Sequence, residues 1–284
     1  MSFKPKFIPL NTFPDVESKG IIIERSSVED LELDKIRKAH RDNYHLFFIL
    51  EQGSGIFEVD FRQYTIVSPS IIYIQPYQVH RGISFQEGLF TVILINDEKL
   101  NTEYIDLLKT IAPAEPLQLQ TESFDVLSDT IAICLKIYKD FERKLYYPIL
   151  KNSCNALIGL IISNFLTDSS QIKSSNRSQV IMNNFKSLLE DQFFVEKNPK
   201  FYAEQLNIST SYLNECAKKA TGETISYHIQ QRIILEAKRL LFHSSKSVKE
   251  IAYQLGYEDY SYFSRLFIKA TGMTALTFRK NSFE

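Results

Sequence analysis

Several common features are missing from this 284-residue chain, and each absence closes off a class of protein. The first residues, Met1-Ser-Phe-Lys-Pro-Lys6, contain no apolar stretch of the kind a secretory leader needs, which points to a cytoplasmic protein. No apolar run approaches the roughly 20 residues of a membrane span, so no membrane is expected among its partners. Cysteine is scarce. Cys134, Cys154 and Cys216 are scattered in apolar helical contexts and are expected as buried free thiols, not as a disulfide or metal site. A charge excess is lacking too, with 33 Lys and Arg against 34 Asp and Glu. That balance looks wrong for a nucleic-acid binder until charge is read along the chain. From Ser175 onward there are 15 Lys and Arg against 11 Asp and Glu, a net of +4, which leaves −5 before it. So modest an excess predicts few phosphate contacts per monomer and binding that weakens steeply with salt.

What the chain does contain is two related helix-turn-helix patterns near its C-terminus. In the clearer one, Val248, Ile251, Ala252 and Leu255 recur at i, i+3, i+4 and i+7, giving a short helix one apolar face. Gly256 stands where a helix end needs positive φ, and Asp259 is placed to cap a second helix. The inner face of that helix is read as Tyr262, Phe263, Leu266 and Phe267, and its outer face as Tyr260, Ser261, Ser264, Arg265 and Lys269. A small polar face with a fixed cation is what a helix in the DNA major groove requires.

The second pattern lies upstream. Residues 201–206 make a short helix, Asn207-Ile208-Ser209 the turn and cap, and Thr210–Ala220 the next helix. Tyr212, Leu213, Cys216 and Ala217 are read as inward, with Ser211, Asn214, Glu215, Lys218 and Lys219 outward. Both patterns close alike, Lys218-Lys-Ala-Thr-Gly222 and Ile268-Lys-Ala-Thr-Gly272, as an internal repeat would. Between them Ile225–Phe242 has neither Pro nor Gly and reads as one helix, roughly 28 Å long at about 1.5 Å per residue. Two reading helices would then stand about one DNA turn, roughly 34 Å, apart.

Residues from about 180 to 281 resemble the DNA-binding domain of the AraC/XylS family of bacterial transcription regulators. The resemblance rests on Ile251-Ala, Gly256-Tyr, Tyr262-Phe-Ser-Arg-Leu-Phe267, Thr271-Gly-Met-Thr274 and Phe278-Arg279. One departure is Ala275, where the family usually has Pro. The resemblance implies DNA contacts at Ser211, Asn214 and Glu215 in the first unit and at Ser261, Ser264 and Arg265 in the second. Lys218, Lys219 and Lys269 would hold phosphates. Glu215 stays open between reading cytosine N4 and a solvated or inter-helix role, because a carboxylate also repels phosphate.

The N-terminal half reads as short β segments: 21–25, 44–51, 55–61, 63–67, 70–74, 80–84 and 90–95. Gly53-Ser-Gly55 is read as punctuating a hairpin, with further turns at Ser68-Pro-Ser70 and Gln75-Pro-Tyr77, which suggests a small antiparallel barrel or jelly roll. The run from Gly53 through Tyr64, Ser68-Pro69 and Tyr73-Ile-Gln-Pro-Tyr77 to His80 resembles the cupin-like sensor domain of the same family. Such a resemblance implies a small-molecule effector. His45, His80, Tyr64 and Tyr73 are the candidate effector contacts, though for Tyr44, Phe57, Tyr64, Tyr73 and Tyr77 a core role is equally open. Cupin enzymes hold metal through a His-x-His pair followed by Glu, and no His-x-His occurs here. His40, His45 and His80 therefore do not suggest metal catalysis: His45 and His80 could converge, but two ligands lack a third. No cofactor or metal is expected, and the chain is not read as an enzyme.

Helical periodicity returns at residues 100–110, 124–141 and 147–166, with a break at 113–116. The resemblance makes this region a dimerisation segment. The Ser-rich stretch 167–178 reads as a linker, and a helix at 178–193 leads into the first unit. The expected fold is multidomain. A mostly-β cupin-like barrel with helices occupies 1–166, and an all-α double helix-turn-helix domain of homeodomain-like type occupies 179–284. Double-stranded DNA, an effector, a second copy of the chain and RNA polymerase are the implied partners. The alternatives are a ligand-independent DNA-binding dimer and a cupin enzyme fused to a DNA-binding module.

Overall fold

The computed structural model describes residues 20–30, 37–111, 115–171 and 177–281. The N-terminal leader reading, the Pro113 break and the middle of the expected linker fall outside those residues. The chain divides into two compact units, with the boundary between Ile172 and Lys173.

Among the described residues the first unit is built on eight strands: β1 (Ile21–Ser27), β2 (His45–Leu50), β3 (Ser54–Val59), β4 (Arg62–Val67), β5 (Ser70–Ile74), β6 (His80–Gln86), β7 (Leu89–Ile95) and the short β8 (Leu117–Gln118). They form a five-stranded sheet in the order β1-β7-β2-β5-β8 and a three-stranded sheet in the order β4-β3-β6, with antiparallel pairing throughout. Strands β2 and β3, β4 and β5, and β6 and β7 are consecutive in sequence yet lie in different sheets, the crossing habit of a jelly roll. Gly53-Ser-Gly55 therefore carries the chain from one sheet to the other and does not close a hairpin. At φ +94° only glycine fits there, because a Cβ would run into the backbone carbonyl of Glu87. The hairpin in this region joins β3 to β4. Val59 stands opposite Arg62, and the two loop residues Asp60 and Phe61 take φ +48° and +68°, both left-handed as a two-residue turn demands. The Asp60 carboxylate fixes this turn by accepting from Gln78 Nε2 at 2.7 Å and from the Val79 amide at 3.3 Å.

Alternation along β2 and β5 separates two cores. Phe48, Leu50, Ile72 and Ile74 face the three-stranded sheet and meet Phe57, Val59, Ile66 and Phe90. Phe47, Ile49, Ile71 and Tyr73 face the other way, towards α1 (Thr102–Thr110), α2 (Thr121–Lys139) and α3 (Tyr146–Gln171). Being covered on both faces is why β2 reads as an unbroken apolar run. Within α3, Tyr146–Thr167 is long and apolar enough by composition to cross a membrane, contrary to the expectation that no run of that kind is present. Its Leu157, Ile158, Ile161 and Ile162 are buried in the helix-side core. Cys134 and Cys154 are buried free thiols in the same core. Helix α3 continues to Gln171, five residues into the stretch expected as linker.

The second unit contains α4 (Arg177–Gln192), α5 (Pro199–Gln205), α6 (Thr210–Thr221), α7 (Ile225–His243), α8 (Val248–Gln254), α9 (Tyr260–Thr271) and α10 (Ala275–Asn281). One core joins all seven through Phe185, Tyr202, Leu213, Ile233, Ile251, Phe263, Phe267 and Ala275. Ala275 is buried at the start of α10, where the family's Pro would stand. At the far end of α10, Arg279 Nε donates to the Leu241 carbonyl at 3.0 Å and its terminal nitrogen to that of Lys246 at 2.6 Å, tying the end of α7 to the approach to α8.

Candidate nucleic-acid interface and effector region

The two helix-turn-helix units repeat in detail. Helix α6 is capped by Ser209, whose side chain accepts from the Tyr212 amide, and α9 by Asp259, which accepts from the amides of Ser261 and Tyr262. Each is 12 residues long and ends on a left-handed glycine, Gly222 at φ +81° and Gly272 at φ +76°. Thr221 and Thr271 both turn their hydroxyls back onto a carbonyl four residues earlier, at 2.9 and 2.8 Å. The inner turns match as well. Asn207 at φ +54° does for α5 what Gly256 at φ +74° does for α8, with the Ile208 and Tyr257 amides reaching back to Ala203 and Ala252. Asparagine is the side chain that best tolerates that conformation.

Burial then sets which face each of these two capped helices offers. On α6, Leu213, Cys216 and Ala217 are buried, while Ser211, Glu215, Lys218 and Lys219 are exposed and Asn214 is half-buried. On α9, Phe263, Leu266 and Phe267 are buried, while Ser261, Arg265 and Lys269 are exposed and Ser264 is half-buried. Tyr262, read above as inward, is 48% exposed; its ring leans on Tyr257 with centroids 5.9 Å apart, so an aromatic joins the outer face. Tyr212, also read as inward, is only half-buried.

The two faces differ electrostatically at equivalent positions 50 residues apart. Glu215 is paired with Lys219 at 2.7 Å, and that carboxylate raises the lysine pKa. Arg265 and Lys269 occupy the same places on α9, and among the described residues neither has an ion-pair partner. Asn214 is committed within the fold. Its Nδ2 donates to the Thr210 carbonyl at 3.1 Å, and its Oδ1 accepts from the Ile225 amide, at the first residue of α7, at 3.1 Å. A position that resemblance assigns to base contact thus also caps the helix joining the two units.

The four effector candidates sit in three places. His45 and Tyr73 meet on the helix side of the five-stranded sheet, Nδ1 to hydroxyl at 2.7 Å, and His45 Nε2 lies 2.8 Å from Asp97 Oδ1. The hydrogen bond from His45 holds the Asp97 carboxyl below its ordinary value, and burial pushes the Tyr73 hydroxyl well up. Tyr64 packs against the core between the sheets, its hydroxyl raised by burial. His80, at the start of β6, is joined by His40 and Asp42 and not by His45. No pattern in the sequence marks His40 and Asp42 as its neighbours, because the pairing is made by backbone across distant segments.

These two assemblies define a DNA-binding regulator with a ligand-binding domain. Residues 202–281 match the helix-turn-helix domain family and residues 29–145 the AraC-like ligand binding domain family. The "HTH-type transcriptional activator RhaS" of Salmonella arizonae is 25% identical over 231 residues, covering 80% of this chain and 82% of the relative. Its counterpart in Salmonella typhimurium gives the same identity and coverage. Among solved structures, the C-terminal domain of the response regulator yesN from Fusobacterium nucleatum is 29% identical, covering 37% of this chain and 99% of that one, at a TM-score of 0.33. Wild-type ToxT from Vibrio cholerae with unsaturated fatty acid bound is 12% identical over 91% of this chain and 94% of that one, at a TM-score of 0.42. The chain belongs to the AraC/XylS family of transcription regulators.

Proposed function

We propose that this regulator is a cytoplasmic transcription activator whose helices α6 and α9 enter successive major grooves on one side of the duplex. The observation that carries this is the 50-residue repeat: two capped 12-residue helices with exposed, largely polar outer faces, joined by the 19-residue α7. Ser261, Ser264 and Arg265 read bases in one groove. Ser211 reads in the other, with Asn214 there chiefly positioning α7. Lys218, Lys219 and Lys269 hold phosphates, and the pairing of Glu215 with Lys219 one turn along the same helix favours a solvated, non-reading role for that carboxylate. The relatives named as activators favour activation, and RNA polymerase is the partner this reading adds. Control by an effector in the β-rich unit, dimerisation through its helices, and a domain division at the stretch 167–178 complete the reading. The test is selection of bound DNA from a random library with the full chain at moderate salt. Two short half-elements about one helical turn apart are expected, and a single element would remove α6 from base reading.

A second reading, binding without an effector, is favoured by one observation. The space between the sheets is filled by the chain's own rings: Phe48 lies 4.7 Å from Phe57 and 5.0 Å from Phe90, and Phe57 lies 5.1 Å from Phe85. An effector entering there must displace aromatic contacts, so it should be apolar. The same half-elements bound equally with and without cell extract metabolites would favour the effector-free reading.

A further inference from the structure

His40 and His80 face each other across an isolated antiparallel bridge, held by His40 N–H to the His80 carbonyl at 3.0 Å and the reverse bond at 2.8 Å. Their rings stand edge to face with centroids 4.3 Å apart. Each Nδ1 lies against a backbone carbonyl two residues back, Lys38 at 2.9 Å and Gln78 at 3.0 Å. A carbonyl only accepts, so both Nδ1 atoms carry the proton and both Nε2 atoms present a lone pair. Backbone carbonyls holding Nδ1–H in this way are how proteins orient histidines towards a metal.

The third member is Asp42. Its Oδ2 is 3.3 Å from His80 Nε2, and both side chains are only 4% exposed. His80 Nε2 is buried without a hydrogen-bond partner, and ligand atoms of His40, Asp42 and His80 all lie within 4.8 Å of one another. A buried lone pair aimed at a carboxylate is repulsive unless a cation lies between them. The 3.3 Å between His80 Nε2 and Asp42 Oδ2 suits an ion, because ligands at about 2.0–2.1 Å from a tetrahedral centre stand roughly 3.4 Å apart, and His40 lies within reach to close on it.

We propose that His40 Nε2, His80 Nε2 and an Asp42 oxygen bind a Zn²⁺-class dication, with water in a fourth position. Two imidazoles and one carboxylate suit zinc better than calcium or magnesium, which take oxygen donors. The segment 40–42 leads into β2 of the five-stranded sheet and His80 opens β6 of the three-stranded sheet. The ion therefore staples the two sheets together at one end. The sequence reading paired His80 with His45, whereas the fold surrounds His80 with His40 and Asp42, neighbours that no His-x-His motif would reveal.

The test uses the full chain, stripped with chelator and titrated with Zn²⁺ by calorimetry and with Co²⁺ by visible absorption. One equivalent should bind, Co²⁺ should give tetrahedral bands without thiolate charge transfer, and the unfolding midpoint should climb with zinc concentration. Asp42→Asn and His40→Ala should each weaken binding by roughly 100-fold. His40 is half-buried, so His40→Ala decides the matter if the aspartate variant does not fold. No saturable binding at about 100 μM zinc would overturn the site. Binding indifferent to His40→Ala, or a thiolate band, would overturn it equally by placing the ion elsewhere.

Discussion

Replacing Arg265 by alanine tests the reading of α9 most directly. The side chain is exposed, lies four residues before Lys269, and among the described residues has no ion-pair partner to give up. Its loss should therefore leave the fold alone and act on DNA. A guanidinium bidentate to guanine is worth roughly 1–3 kcal/mol of discrimination, about 5- to 150-fold in affinity for the selected site. Random DNA should lose much less. Fluorescence anisotropy on both duplexes across a salt series separates the two roles, because each phosphate contact adds about 0.9 to the slope of log affinity against log salt. The reasoning requires a large loss on the selected site with little change in slope. An equal loss on both duplexes, with the slope falling by about 0.9, would move Arg265 to the backbone. No loss on either would mean that the outer face of α9 is not the reading face. Glu215→Ala is the companion measurement: with its charge already answered by Lys219, it should shift sequence preference far less than Arg265→Ala does.

Three further outcomes follow from the packing. Asn214→Ala leaves the Ile225 amide without its acceptor and should cost about 1 kcal/mol of stability in denaturant melts, with specific affinity of the folded protein unchanged; intact stability with lost specificity would make Asn214 a base reader. Gly272→Ala meets nothing within 4 Å and should cost only the left-handed penalty of about 1–2 kcal/mol, whereas Gly256→Ala places a Cβ 2.8 Å from the Phe194 carbonyl and should cost more; equal melting shifts would contradict the crowding at Gly256. Burial first, and Lys186 second, lower the His228 pKa below its ordinary 6.5, so the unfolded chain takes up the proton more readily. Above that pH both states are neutral; as pH falls below it stability should drop until the folded pKa is reached, and His228→Gln should flatten that part of the profile.

Local pattern made much of this protein legible. Caps, left-handed glycines and apolar spacing lie within a few residues of one another, so α6, α7 and α9 could be bounded almost to the residue. Strand positions were legible for the same reason, but strand partners were not. Gly53-Ser-Gly55 looks like a hairpin because glycines bracket a serine, and only the opposing sheet, with the Glu87 carbonyl against Gly53, shows that the chain is crossing. The true hairpin at Asp60-Phe61 contains no glycine and is fixed by Gln78 and Val79 from the loop that leads into β6. Histidine geometry was hidden likewise, since His45 and Tyr73 are set by the pairing of β2 with β5, and His40 with His80 by a single bridge. Tyr262 misled because helical periodicity gives an arc, and a residue at the edge of that arc can go either way.

Helix α7 also constrains how such a protein can change. One residue inserted into it turns everything beyond by about 100° and advances it by only about 1.5 Å. One base pair inserted between two DNA elements turns the far element by about 35°. The two screws share no small common step, so a lengthened α7 cannot follow a lengthened operator. Under the proposed two-groove reading, spacing is then a fixed inheritance of the fold, and new target sites would come from substitutions on the outer faces of α6 and α9.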